Sequence, residues 1–380
     1  MERTIVRNFL YPALLDPPSG LNFSDQFAFR PTGSTTAAII SLLLKITNLL
    51  ASEPYVIVLA LDFSKAFDKV RHATLMTKMA SLRLPDHVYN WLTDFFLNHS
   101  HCVKFNGVSS LPRAINASIV QGSAIGPASY VVYAADLQPV TAGNEILKYA
   151  DDTYLIIPAS NTNSRTVEIA NVNLWSQVNN IQLNHSKSME VIFRDPRRRT
   201  VINEPIKLNG INRVTSLPVL GITVSRSLAV TSHVDTVLQS CARDLYAIKL
   251  LRSHGMSNND LCTVFRTVVI AKLTYASSAW VGFAPARDVQ RIDAFLIRSH
   301  RAGLCQLSNF SDLCDSSDEK LFSKVCNNHE HILHQHLPDT SAASKNYNLR
   351  PRPHHFNLPF LPYDINTNSF INRMLYNDCY

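Results

Sequence analysis

Ile146-Leu-Lys-Tyr-Ala-Asp-Asp-Thr-Tyr-Leu-Ile-Ile157 sets two apolar stretches on either side of two adjacent acids. The pattern predicts two strands joined at a turn. A tight hairpin prefers Asn-Gly or Asp-Gly at its tip, and two neighbouring carboxylates repel each other. Asp151 and Asp152 therefore need a reason to be there. A divalent ion with hard oxygen ligands, such as magnesium, supplies one; a solvated turn is the structural alternative.

Upstream, Tyr55-Val-Ile-Val-Leu-Ala-Leu61 is a continuous apolar, β-branched run that ends in Asp62. Such a run predicts a strand buried on both faces, with Asp62 at its C-terminal end, where ligands often bind. An Asx turn or a helix N-cap is an equally good reading of Asp62 taken alone. The two acidic sites lie about ninety residues apart. Two strand-end carboxylates can hold two metal ions about 4 Å apart, the arrangement used for in-line displacement at phosphorus. Pro85–Phe96 predicts a helix with Trp91, Phe95 and Phe96 as core candidates, and Asn106-Gly107 signals a hairpin.

With these residues placed, a family resemblance becomes visible. Leu61-Asp-Phe-Ser-Lys-Ala-Phe-Asp-Lys-Val70 resembles the first catalytic motif of reverse transcriptases from non-LTR (LINE-type) retrotransposons. Gln121-Gly-Ser-Ala-Ile-Gly-Pro127 resembles their second motif and Tyr149-Ala-Asp-Asp152 their third. Gln26-Phe-Ala-Phe-Arg-Pro-Thr-Gly-Ser34 resembles the fingers segment just upstream. Asn184-His-Ser-Lys187 with Met189-Glu-Val-Ile-Phe193 is similar to the fourth motif, and Leu220-Gly-Ile-Thr-Val224 to the primer grip. Six motifs stand in the family's order between about Ser24 and Ser225, and Asn368–Cys379 resembles the ends of jockey-like elements.

The resemblance implies an α+β fold, a right-hand polymerase palm whose antiparallel sheet carries helices. It divides the chain into partial fingers (1–53), palm (54–225), a helical thumb-like region (226–302) and a C-terminal extension (303–380). It implies an RNA-directed DNA polymerase that extends a DNA primer on an RNA template, using deoxynucleoside triphosphates and two Mg2+ ions, with Mn2+ as a substitute. Asp62 and Asp151 would ligate both ions, Asp152 would support them, and the Phe63 carbonyl would add a ligand. Phe67 stands at the steric-gate position against a ribose 2′-hydroxyl, with core packing as its alternative. Gln121 and Gly122 would line the nucleotide and template side. Arg30 would grip the triphosphate through paired donors, and Lys187 would be a general acid near the pyrophosphate. Leu220 and Gly221 would form the primer grip.

Departures from the family pattern are Ala28, Thr32-Gly33 and Gly126. A further basic fingers segment and an endonuclease are expected upstream in this family. The chain accordingly reads as truncated on its fingers side, and endonuclease activity would come from missing sequence or another protein. The competing reading is an inactive retroelement remnant that at most binds RNA or an RNA–DNA hybrid. A third, an RNA-templated RNA polymerase or a nucleotide cyclase on the same palm, sits poorly with the flanking motifs.

Bulk properties fit a globular protein: 380 residues, 46% hydrophobic, 17% charged, with a net charge of +7 compatible with a polyanionic partner. No apolar run approaches the ~18–20 residues of a membrane span, so no membrane is expected. The N-terminus lacks a signal-peptide pattern. The seven scattered cysteines read as reduced thiols of an intracellular protein; nucleus and cytoplasm follow from the resemblance alone. His233–Leu251, after a capping-type Thr231-Ser232, and Asp260–Ala279 predict long helices. The stretch from Leu349 to His355 reads as a surface tail. Cys326, His329, His331, His334 and His336 have a zinc-like flavour but lack paired CxxC spacing. Arg197-Arg-Arg199 reads as solvated, Trp175 and Trp280 as core. Asp195, outside every motif, is expected to tolerate Asn.

Overall fold

The computed structural model describes residues 1–97, 99–120, 122–198, 203–306, 309–340, 354–361 and 364–377. Gln121, Arg199, the residues from Leu349 to Pro353 and Cys379 lie outside them. The chain divides into two compact units, the first made of 1–34, 57–190 and 205–213, the second of 35–56, 191–204 and 214–380.

Continuous apolar runs build the strands of the first unit. β1 (Val56–Leu61) is buried along almost its whole length, as its β-branched sequence requires. Two small hairpins follow: β2 (Ser100–His101) pairs with β5 (Arg113–Ala114), and β3 (Lys104–Phe105) with β4 (Val108–Ser109) across Asn106-Gly107. β6 (Glu145–Tyr149) and β7 (Asp152–Pro158) are antiparallel, with Tyr149 opposite Asp152. β8 (Met189–Phe193) pairs in parallel with β9 (Asn212–Arg213). The sheet order is β6-β7-β1-β8-β9, so β1 and β7 are hydrogen-bonded neighbours. The mixed α+β architecture expected from sequence is present, although the edge strand β9 runs parallel.

Helices cover this sheet. Asp86–Phe96 begins after Pro85 and buries Phe96, while Trp91 and Phe95 are half-buried and stacked at 5.5 Å. The helix Ile125–Tyr133 is almost wholly buried. Its N-terminus is capped from afar, because Glu2 accepts from the Ala124 N–H at 2.7 Å and the Ser123 hydroxyl at 2.8 Å.

The second unit is helical around a hairpin of β10 (Ser216–Val219) and β11 (Ile222–Ser225). The helix Thr35–Ser52 corrects one expectation: it is long and apolar enough, by length and composition, to cross a membrane. Here 61% of it is buried, against Ser277–Trp280, Asp364–Thr367 and Phe370–Tyr376. Arg198 donates to the Ala51 carbonyl in its last turn at 2.8 Å and to the Glu53 carbonyl just beyond it at 3.1 Å, and so caps the helix rather than standing free in solvent. The long helix spans Thr231–Ser253, with Val230 at its cap and no side-chain capping bond from Thr231 or Ser232. The expected helix over 260–279 is broken into Asn258–Val264, a π-helical segment Phe265–Ile270, Ala271–Leu273 and, after a left-handed Ala276, Ser277–Trp280. Trp280 is fully buried, stacked on Phe310 at 5.8 Å.

Candidate active site

The acids gather at one end of the first unit's sheet. Asp62 follows β1, Asp151 sits in the β6–β7 turn, and Asp152 opens β7. The turn is strained, because Ala150 has φ 57°, in the left-handed region that disfavours a side chain by about 1–2 kcal/mol.

The three carboxylates feel one another's charge. Desolvation raises the Asp151 carboxyl above its ordinary range, opposed by a backbone hydrogen bond and reinforced by Asp62. Desolvation, then the charges of Asp151 and Asp62, pushes Asp152 up to about 6, although its side chain still reaches solvent. Like charges that raise one another's pKa favour a proton or a cation near them. An all-oxygen, like-charged donor set fits a hard divalent ion. Among the described residues no three His, Cys, Asp or Glu side chains stand close enough to hold an ion as they are, so the acids share an edge without converging.

The backbone of Asp62 is fixed from both sides. Its N–H donates to Ser188 Oγ at 3.2 Å, and its carbonyl accepts from the Asn184 N–H at 2.8 Å. Ser188 Oγ in turn donates to the Asn184 carbonyl at 2.8 Å. Phe63 bridges Leu183 and meets Trp175 edge-on at 5.8 Å. The Asn184–Ser188 turn is thereby stitched to the first acid, and it carries Lys187, whose side chain is exposed. Sequence reasoning quoted both flanks of Ser188 and passed over it; its place between Lys187 and Met189 was the available signal.

Phe67 begins a short 3-10 turn, Phe67–Lys69, and is half-buried. It stacks on Tyr130 at 4.4 Å and 22°, and meets Phe29 edge-on at 6.4 Å. Burial first, and then Asp151, pushes the Tyr130 phenol well above its ordinary range. Ser118 and Ile119 run beside this turn: Ile119 N–H donates to the Phe67 carbonyl and Ser118 N–H to that of Val70, each at 2.9 Å. Gly122 has φ +87°, and an added Cβ would meet no protein atom within 4 Å, so backbone conformation rather than crowding by the chain selects glycine. Arg30 is half-buried, with one arm of its guanidinium on the Phe23 carbonyl and Nε without a protein partner. Burial lowers its pKa and Asp25 raises it.

In the second unit, Leu220 and Gly221 form the β10–β11 turn, with φ 45° and +88°. Tyr275 holds that turn: its hydroxyl donates to the Leu220 carbonyl at 2.9 Å, and its ring lies 3.1 Å from where a Cβ on Gly221 would stand. Nothing in the sequence pointed to Tyr275, which lies 55 residues further on. The histidines near Cys326 are engaged with one another and with backbone, His329 with His334 at 3.0 Å and His334 with the Val325 carbonyl at 2.9 Å.

The family described as reverse transcriptase (RNA-dependent DNA polymerase) matches residues 5–224. The chain is similar to the probable RNA-directed DNA polymerase from transposon BS of Drosophila melanogaster, 25% identical over 292 residues, covering 73% of this chain and 32% of that protein. It is 29% identical over 233 residues to the RNA-directed DNA polymerase from mobile element jockey of the same organism, covering 57% of this chain and 24% of that protein. It thus spans about a third or less of the length of these relatives. Among solved structures, telomerase from Candida tropicalis in complex with a fragment of telomeric RNA covers 87% of this chain and 52% of its own, at 12% identity and a TM-score of 0.46.

Proposed function

The chain belongs to the reverse transcriptase (RNA-dependent DNA polymerase) family, on its non-LTR, LINE-type branch, and from that premise we propose that it extends a DNA primer on an RNA template. Enzymes of this family generally use divalent metal ions; here we propose two Mg2+ ions. The observation that carries the reading is that Asp62 stands at the same sheet end as Asp151 and Asp152 and its charge helps raise both carboxyls, from segments about ninety residues apart. Asp151 and Asp152 are chain neighbours, but nothing local brings Asp62 to their end of the sheet.

Asp62 and Asp151 would hold the ions, with Asp152 and the Phe63 carbonyl in support. Bound there, the ions would acidify the primer 3′-hydroxyl and offset charge on the departing pyrophosphate. The chain's own residues do the rest. Phe67, backed by Tyr130, presents a ring against the sugar of the incoming deoxynucleoside triphosphate. Gly122 would line the nucleotide and template side. Arg30 can turn its partnerless Nε and second arm toward phosphate oxygens. Lys187, exposed on a turn anchored to Asp62, would deliver a proton near the leaving group. Leu220 and Gly221 form the primer grip, set by Tyr275. Fingers (1–53), palm (54–225), thumb (226–302) and C-terminal extension (303–380) are the functional divisions we propose.

Primer extension on an RNA template with Mg2+ tests this. Asp151→Asn keeps the shape but loses charge, and should slow extension by at least about 100-fold. The exposed Asp86→Asn should match the unaltered chain. Equal effects of the two substitutions, or a chain that binds the hybrid but never extends it, would overturn the enzyme reading.

A further inference from the structure

We propose that Gln26 is a positioning residue whose side-chain amide clamps the backbone of Ala150 and so aims Asp151. The inference rests on the reading of Asp62, Asp151 and Asp152 as ion-holding acids.

Gln26 is 1% exposed. Its Oε1 accepts from the Ala150 N–H at 2.9 Å and from the Ala28 N–H at 3.0 Å. Its Nε2 donates to the Ala150 carbonyl at 3.3 Å. Both backbone groups of the left-handed residue are thus held by one side chain. An acceptor and a donor are needed at the same depth, which only a side-chain amide of this length supplies. Glutamate lacks the donor, methionine lacks both, and asparagine is one methylene short.

The clamp is itself held firmly. Gln26 forms a parallel bridge with Lys148, flanked by Phe27 N–H to the Lys148 carbonyl at 2.8 Å and Lys148 N–H to the Asp25 carbonyl at 2.7 Å. Residues 25–27 therefore lie along β6, tied to it by a single bridge and its flanking hydrogen bonds. Below them the buried Lys148 ammonium sits 3.1 Å from the Asp25 carboxylate and donates to the Ala134 and Leu137 carbonyls at 2.9 and 3.1 Å. The turn is fixed from a segment some 120 residues upstream, and Asp151 is the next residue along. Were Ala150 to relax into the right-handed region, the Asp151 side chain would point elsewhere.

The whole chain is purified unaltered, as Gln26→Met, and as Asn144→Leu. Asn144 is also a buried amide, donating to Ser164 Oγ at 2.9 Å and Glu168 at 2.8 Å, and controls for loss of such a network. Mn2+ binding is measured by electron paramagnetic resonance, and single-turnover incorporation is resolved into a rate constant and an active fraction. Gln26→Met should weaken Mn2+ binding and slow the rate constant by about 10- to 100-fold each. Asn144→Leu should lower Tm and leave both unchanged. A Gln26→Met chain that loses only Tm or active fraction, with affinity and rate constant kept, overturns the proposal. Should that variant not fold, backbone exchange in the unaltered chain decides: the Ala150 amide should exchange at least about 100-fold slower than in an unstructured peptide, and free exchange overturns the clamp. If the unaltered chain binds Mn2+ but extends no primer, the polymerase reading fails and the clamp is judged on Mn2+ affinity alone; no Mn2+ binding overturns both.

Discussion

Phe67 unites two readings that the sequence left side by side. Its ring is stacked on Tyr130 yet half-buried, so packing fixes one face while part of the ring remains accessible. A ring fixed in this way excludes an additional hydroxyl by steric clash rather than by attraction. Phe67→Ala should therefore raise incorporation of ribonucleotides relative to deoxyribonucleotides by at least about tenfold in competition assays. A lower Tm with an unchanged ratio would leave Phe67 a packing residue alone. Asp195 shows how a residue outside every motif can still matter. It is buried, 4% exposed, and its Oδ1 accepts from the Arg197 N–H at 3.0 Å, so it shapes the turn after β8 and serves poorly as a neutral control.

At the scale of elements, β8 is held by an ion triad. Glu190 is fully buried between Arg165 and Arg213, each 2.6 Å away through a separate carboxylate oxygen. One acid thus ties β8 to the start of the helix Arg165–Val178 and to β9. Removing one member of a buried group leaves the others uncompensated. Glu190→Gln should destabilise the first unit by about 3–5 kcal/mol in denaturant unfolding. A loss below about 1 kcal/mol would show that the triad behaves as a surface pair. The Asn184–Ser188 turn runs directly into this strand, so the same substitution should loosen the stitching around Asp62.

Across the whole molecule, two buried imidazoles of the second unit and two raised acids of the first answer pH in opposite directions. Burial lowers His233 and His336, both in the second unit, to about 4. Their unfolded value is about 6.5, so the folded state binds fewer protons and its stability is lost as pH falls from about 6.5 toward 4. In the first unit, Asp151 and Asp152 are raised, so the folded state holds protons longer and loses stability as pH rises from about 4 through 6. Trp280 reports on the second unit and Trp91 and Trp175 on the first. In a chain carrying Trp91→Phe and Trp175→Phe, the unfolding midpoint seen by Trp280 fluorescence should fall between pH 7 and pH 4.5, and His233→Gln should flatten that fall. A midpoint constant over this range would refute the account of the buried imidazoles.

The sequence by itself determined the local elements that carry the chemistry. β1 was legible as an unbroken apolar run, β6 and β7 as two runs around a pair of acids, and the β3–β4 hairpin from Asn106-Gly107, because strand period and turn residues are properties of neighbouring positions. The family motifs added their order. Tertiary structure alone decided which of these parts meet. It set β7 beside β1, so that Asp62 acts on Asp151 and Asp152, and it brought Ser188 to Asp62, Gln26 to Ala150 and Tyr275 to Leu220. Each of those bonds joins groups too far apart in sequence to leave any local periodicity. Burial decided the rest: Thr35–Ser52, apolar enough for a bilayer, lies mostly inside the fold because neighbouring helices cover it, and the helix expected over 260–279 breaks at Ala276, whose left-handed backbone no local residue preference signals. Local propensity acts over a few residues, whereas burial is settled by whatever the folded chain lays against them.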